Sequence, residues 1–576
     1  MRADGSIRPM AGRVGTTRVA LGLFVASLVV RLAVFALTPF PAYPDAAYYT
    51  TVARQIAAGH GAVIPYVWAF VDVGGAIPAT PTLPIAAFGH WMPLASFVQV
   101  PFIWLLGPTD LAAALPFLVL AALLAPATYL LGRDLLPDHP ALGLAGALAV
   151  IPAASGYLSQ PDNYALYGLL GAGALWLTAR ALTGRSGRPI VALFGAGLLA
   201  GLGFLARTDG FLLAGAIGLS VVTARLRARR PGLREARVSL AGLIAAAVGC
   251  LVLVVPWEAR NLAAFGTFSE SAASGRVLYI RDFAEHFGAD GPLTIDHLLS
   301  WGPAALIWSR LVALGAFVAM AVAGLLAVVQ LPPALAGAWA LRGRRELAPF
   351  AWWGVLFALW SILVVPAPFI TTGNFMHSAL VLLPLACLCA ALGIAVLVGR
   401  VVRWRSWSAA SLPGRVRFWG RALVLLTFVA ALVSTLNQAV GWQAGHDLAR
   451  EASAWLEGHA APGTRVMSAD PGALYLVGGW PGVQTPESPL QTIGQAAEAY
   501  GVRYLVLGSA SVVSALEPVL RGGSRPAWLG PAVFSAGQGA GATPTLAIYP
   551  VLTPVEAYGY RPRSAVAAAT RSTARR

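Results

Sequence analysis

Lysine is missing altogether from this chain of 576 residues, so its 40 basic side chains are all arginine, and only 11% of residues are charged. A soluble domain carries about 25% charged residues, so a chain this poor in charge, with 57% hydrophobic residues, has lipid as its main solvent. An arginine-only inventory fits GC-rich coding. The formal charge of +16 is not gathered into a basic stripe with interleaved aromatics, which excludes nucleic acid as a partner. Cysteine is nearly absent as well. Cys250, Cys387 and Cys389 all lie in apolar runs, which excludes a disulfide framework and a thiolate metal site. HExxH, CxxC, GxSxG and Walker patterns are all lacking, which removes the common hydrolases and nucleotide-driven pumps.

What is present is a succession of apolar runs. A bilayer core about 30 Å thick needs about 20 apolar residues per helix. Such runs fall near 19–38, 111–132, 141–157, 164–179, 189–206, 210–224, 239–256, 306–335, 347–366, 376–399 and 422–440, about eleven spans. The first follows MRADGSIRPMAGRVGTTR and has no small-residue cleavage site, so it reads as an uncleaved helix. With the N-terminus in the cytoplasm, the inner segments hold 23 arginines and the outer loops only Arg54, Arg260, Arg276 and Arg281, with Arg207 at a boundary. That asymmetry sets the orientation by the positive-inside rule. The chain therefore reads as a multi-pass protein of the plasma membrane, with its long outer segments at 39–110, at 257–305 and after 441, where function is sought.

The predicted fold class is mainly α: a polytopic helical bundle over 1–440, followed by a small extracytoplasmic α/β domain at 441–558 and a disordered tail at 559–576. Strand-like TRVMSA and VRYLVLG flank LQTIGQAAEAYG, where Ile493, Ala496, Ala497 and Tyr500 share one helical face. No phosphate loop or GxGxxG lies in this domain, so it reads first as a lid or docking module.

Candidate chemistry begins in TPFPAYPDAAYYTTVARQIAAGHG. Asp45 opens an amphipathic segment expected to lie on the outer membrane surface. An aspartate after a proline and before a helical run also serves as an N-cap worth about 1 kcal/mol. Asp162 in SGYLSQPDNYALYG and Asp209 in FLARTDGFLL repeat that pattern. Tyr48 and Tyr49 beside Asp45, and Tyr157 and Tyr164 beside Asp162, make a wet aromatic pocket able to hold a sugar. His90 and Trp91 in FGHWMPLASF stand at the same surface, where an interfacial aromatic also accounts for Trp91. Arg207, Arg260, Arg276 and Arg281 offer cations for a phosphate. Snorkelling to the interface explains Arg31 and Arg207 equally well. His377 in FITTGNFMHSALVLLP offers a further phosphate contact, or a histidine bonded to a neighbouring helix.

In their order along the chain, PDAAYYTTVARQIAAGHG, LARTDG, PWEARNLAAFG and a C-terminal outer domain resemble the GT-C class of membrane glycosyltransferases. Within it they are most similar to the family 39-like members related to protein O-mannosyltransferases and the lipid A aminoarabinose transferase. The resemblance covers roughly 15–510 and implies a polyprenyl-phosphate sugar donor, membrane lipid surroundings, a lipid, glycan or protein acceptor, and transfer with inversion outside the membrane. It makes Asp45 the catalytic aspartate of the first loop and Asp162 the second acid, for acceptor orientation or metal contact. A lipid phosphate leaves without a general acid, so one base is enough. Arg260 and Arg276 lead the candidates for steadying the departing phosphate. Asp45 is followed by Ala46 where many members of the family carry a second acid, which argues against a divalent metal. His377 replaces their arginine or tyrosine.

Two other classes compete. A transporter or flippase of lipid-linked glycans places its charges at mid-membrane between repeated halves, whereas these acids lie at one face and no repeat is seen. A non-catalytic scaffold needs no acidic first loop.

Overall fold

The computed structural model describes residues 8–228, 240–268, 279–291, 294–322, 330–365, 368–538 and 544–553. Among them, ten helices are long and apolar enough to cross a membrane: Gly15–Phe35, Asp110–Leu135, Asn163–Leu182, Pro189–Ala206, Thr208–Arg227, Leu240–Phe265, Gly302–Met320, Arg345–Val364, Gly373–Trp404 and Leu412–His459. Shorter apolar helices cover Leu94–Leu106, Pro140–Val150 and Leu331–Leu341. The run expected at 141–157 is thus an 11-residue helix followed by a break. In the run expected at 306–335, which allowed one long helix or a broken pair, the described residues form the helices Gly302–Met320 and Leu331–Leu341. The three cysteines are free.

The chain divides into two compact units. The first comprises 1–63, 86–283 and 293–444, and its helices approach closely where glycines leave room. A Cβ at Gly197 would stand 2.0 Å from the Ala246 carbonyl oxygen, and one at Gly249 would stand 2.3 Å from that of Phe194. The 189–206 and 240–265 helices therefore pack backbone to backbone, which is how small residues drive association in lipid.

The chain reversal after the 140–150 helix leaves backbone carbonyls without helical partners, and a buried arginine takes them up. Arg31 donates to the carbonyl of Ile151 at 2.8 Å and to Ser155 Oγ at 2.9 Å, while Ser155 Oγ donates to the Pro152 carbonyl. Ala154 adopts φ +47° within that reversal. Arg31 thus serves the protein's own backbone and is fully buried, which leaves it no part in snorkelling. The short helix Pro44–Ala57 is likewise not a one-faced surface helix, because every side chain from Ala46 to Ala53 is buried.

The second unit gathers 64–85, 284–292 and 445–576, so pieces of both long loops join the C-terminal segment expected to stand alone. Its sheet runs Tyr66–Val67, Gly482–Gln484, Val466–Ser468, Tyr504–Gly508, Pro544–Pro550, Phe534–Gln538. The first four strands are mutually parallel, and Pro544–Pro550 runs antiparallel to both its neighbours, Tyr504–Gly508 and Phe534–Gln538. A two-residue strand carries no periodicity, and only its pairing with Gly482 and Val483 assigns Tyr66–Val67 to the sheet. One sheet face carries Met467, Val483 and Leu505 against Ile493, Ala496, Ala497 and Tyr500, the helical face expected from the sequence. The tail expected at 559–576 lies outside the described residues.

Candidate active site

Within the first unit, Asp45, Asp162 and His377 converge although each comes from a different part of the chain. One ligand atom from each lies within 4.8 Å of the others. Asp45 sits in the first turn of the 44–57 helix, whose N-cap is Tyr43 and has no side-chain cap bond. Asp45 is therefore not the cap that its place after Pro44 allowed. Asp162 does cap its helix, accepting from the Asn163 N–H, and it also accepts a hydrogen bond from Tyr43 Oη at 2.9 Å. Gln160 fastens the two loops together: its Oε1 accepts from the Ala42 N–H and its Nε2 donates to Thr38 Oγ1. These ties explain how acids 117 residues apart in sequence come to share one site.

His377 stands in the last turn of the helix Pro368–Ser378. Its ring stacks on Tyr164 with centroids 3.7 Å apart and planes at 18°. Nδ1 is 2.7 Å from Asn163 Oδ1, and Asn163 Nδ2 donates to Tyr49 Oη at 3.1 Å. With the Asn163 amide in this orientation its oxygen only accepts, which puts the proton on Nδ1 and the lone pair on Nε2. Nε2 faces Asp45 Oδ2 at 3.9 Å, too far for a hydrogen bond.

Burial pushes the Asp162 carboxyl up to about 6, held back by the bonds from Asn163 and Tyr43 and by the charge of Arg207. Burial, and then the two acids, push the Tyr43 and Tyr49 phenols well above their ordinary value, so both remain protonated.

Two carboxylates and an imidazole lone pair fit a divalent cation. At about 2.1 Å per metal–ligand bond, ligands on opposite sides of an ion stand about 4.2 Å apart. The 3.9 Å gap between Asp45 and His377 falls within that span.

The aromatic residues named from sequence gather nearby. Trp91 lies 6.3 Å from Tyr48 and 6.0 Å from Tyr49, and the His90 and Trp91 rings are 4.6 Å apart. Phe88, at φ +69°, donates its N–H to Tyr48 Oη at 2.7 Å. Arg260 reaches the same segment. It donates to the Ala87 carbonyl at 2.9 Å and lies over the rings of Trp257 and Phe265, each at 5.0 Å.

Arg207 is engaged differently. Its Nε donates to Asp209 Oδ1 at 3.0 Å and to Ser378 Oγ at 3.1 Å, and its Nη2 donates to Asn374 Oδ1 at 3.1 Å. Ser378 in turn donates to Asp209 Oδ2. The pair thereby anchors the turn that carries His377. Arg276 lies outside the described residues. Sequence reasoning passed over Tyr43, Asn163 and Ser378. Only the Tyr-Pro-Asp and Asp-Asn neighbourhoods hinted at the first two, and nothing at the third.

Residues 90–257 match the family model described as dolichyl-phosphate-mannose-protein mannosyltransferase. The fold is similar to that of ArnT from Cupriavidus metallidurans bound to undecaprenyl phosphate, at 14% identity, covering 95% of this chain and 99% of that one with a TM-score of 0.53. Archaeal oligosaccharyltransferase AglB from Archaeoglobus fulgidus, in complex with an inhibitory peptide and a dolichol-phosphate, matches at 13% identity. It covers 85% of this chain and 69% of its own, with a TM-score of 0.47. No curated protein sequence matches. The helical membrane fold is thus similar to that of a membrane glycosyltransferase of the GT-C class, and the segment that supplies Asp162 and Arg207 matches a mannosyltransferase family model.

Proposed function

We propose that the protein transfers a sugar from a polyprenyl-phosphate donor to a hydroxyl acceptor on the extracytoplasmic face of the plasma membrane, with Asp45 as the base. The observation that carries this reading is the meeting of Asp45, Asp162 and His377 at one site, with Tyr43, Tyr49 and Tyr164 around it.

Asp45 takes the acceptor's O–H proton while the acceptor oxygen bonds to the anomeric carbon. The bond from that carbon to the phosphate oxygen breaks, and its electron pair leaves with the polyprenyl phosphate. Attack opposite the leaving group inverts the anomeric centre. Proton removal by a positioned carboxylate is worth about 10²- to 10⁴-fold. Asp162, held by Tyr43 and Asn163, orients the acceptor beside Asp45. His90 and Trp91, which stay partly exposed, offer the surface for the sugar, with Tyr48 and Tyr49 buried against Trp91 and Tyr164 buried against His377. Arg260, with Arg276, steadies charge on the departing phosphate, and Arg207 acts through the turn of His377. A divalent cation held by Asp45, Asp162 and His377 supplies positive charge at the donor phosphate when bound.

The test is transfer from labelled polyprenyl-phosphate sugars in membranes. Asp45→Asn should abolish transfer, and with it the release of polyprenyl phosphate, at normal expression. Undiminished transfer removes Asp45 from the chemistry. Donor crossing the membrane with no sugar transferred supports the flippase reading instead.

A further inference from the structure

Once the acids meet, what decides whether His377 joins them is which ring nitrogen carries the proton. Neutral imidazole has one lone pair. If Nδ1 held it, Nε2–H would point at Asp45, draw in to about 2.9 Å and present a donor to any cation. The observed gap is 3.9 Å, and the atom 2.7 Å from Nδ1 is an amide oxygen.

We propose that Asn163 is a positioning residue that locks His377 as its Nδ1–H tautomer, turning the Nε2 lone pair onto the Asp45–Asp162 pair and completing a three-ligand seat for one divalent cation. In the structure the amide turns Oδ1 to the ring and its Nδ2 donates to Tyr49 Oη at 3.1 Å. Tyr164, stacked at 3.7 Å, fixes the plane of the ring, so the amide has only the tautomer left to settle. Asn163, Tyr49, Tyr164, His377 and Asp162 are all buried, while Asp45 is partly exposed. Asn163 follows Asp162 directly, so one helix start delivers both a ligand and the group that aims another. Fixing a metal-binding histidine through its second nitrogen is a general device, and losing that partner commonly costs 10- to 100-fold in affinity.

The probe is Co²⁺ alone, titrated into the purified full-length protein in detergent without donor or acceptor and followed by its visible absorption. Wild type should take one ion. Asn163→Asp keeps an acceptor at Nδ1 and should bind as well or better, whereas Asn163→Leu should bind 10- to 100-fold more weakly. If Asn163→Leu does not fold, Asn163→Ala, which removes the acceptor at Nδ1 without added bulk, should weaken binding by a similar factor. In a His377→Ala background, Asn163→Leu should change affinity no further. Equal loss with and without His377 overturns the proposal, as does wild-type affinity in Asn163→Leu. The inference rests on the transferase reading only for the meaning of the site, and one comparison separates their failures. No Co²⁺ binding alongside sugar transfer that persists in EDTA refutes the cation seat and leaves the transferase standing.

Discussion

The pair Arg207–Asp209 allows a sharp separation of anchoring from donor binding. Arg207 is 9% exposed and Asp209 3%, and every hydrogen bond that Arg207 makes among the described residues goes to Asp209, Ser378 or Asn374. Replacing Arg207 by Met leaves a buried carboxylate with Ser378 as its side-chain donor. Breaking such a pair costs about 3–5 kcal/mol, a drop of roughly 10² to 10³ or more in the folded-to-unfolded ratio. The double replacement Arg207→Met with Asp209→Leu removes both charges and should cost far less than the two single losses added together. A coupling of at least about 2 kcal/mol is expected for residues in one network. Thermal melting in detergent, read by tryptophan fluorescence, measures stability, and a membrane transfer assay measures activity. On this reasoning Arg207→Met melts early and loses transfer, and the double variant recovers part of both. The reasoning is refuted if Arg207→Met melts like wild type and only the KM for the donor rises, because Arg207 is then a phosphate contact.

Other predictions follow from single contacts. Tyr43→Phe removes a bond to the Asp162 carboxylate worth about 1.5–3 kcal/mol, which raises that carboxyl further above about 6. The acid limb of the transfer rate should move up by about 1–2 pH units, and an unmoved limb refutes a role for ionised Asp162. In the second unit, both carboxylate oxygens of Asp72 are buried without a hydrogen bond among the described residues, and burial pushes the group from 3.8 to about 7. The folded protein therefore holds the extra proton, so the penalty is absent below pH 3.8, grows as pH rises and is complete above 7. At about 1.4 kcal/mol per pH unit it is worth up to about 4 kcal/mol. Asp72→Asn should raise the melting temperature at pH 8 but not at pH 4, and an equal change at both contradicts this. Arg31→Met strips donors from Ile151 and Ser155 and should destabilise by about 3 kcal/mol or more, lowering the melting temperature of the full chain. Protease added from outside should cleave within 441–560; cleavage only from the cytoplasmic side reverses the proposed topology.

The sequence by itself determined the solvent, the fold class and the family resemblance, because hydropathy runs and short motifs are local quantities. It also named Asp45, Asp162 and His377, and it read the face of Ile493, Ala496, Ala497 and Tyr500 correctly, since helical periodicity is written in neighbouring residues. Tertiary structure alone decided what these residues do to one another. Asp45 and Asp162 meet because Gln160 and Tyr43 tie two loops together, and that pairing across 117 residues leaves no periodic trace. His377, read first as a phosphate contact, stands against the acids because Arg207 and Asp209 anchor its turn and Asn163 holds its ring nitrogen. The two-residue strand Tyr66–Val67 shows the same limit, being too short to signal itself and fixed only by its partner. Composition and periodicity select the kind of surface a segment can bury, while a site depends on distances between segments, which only the folded chain sets.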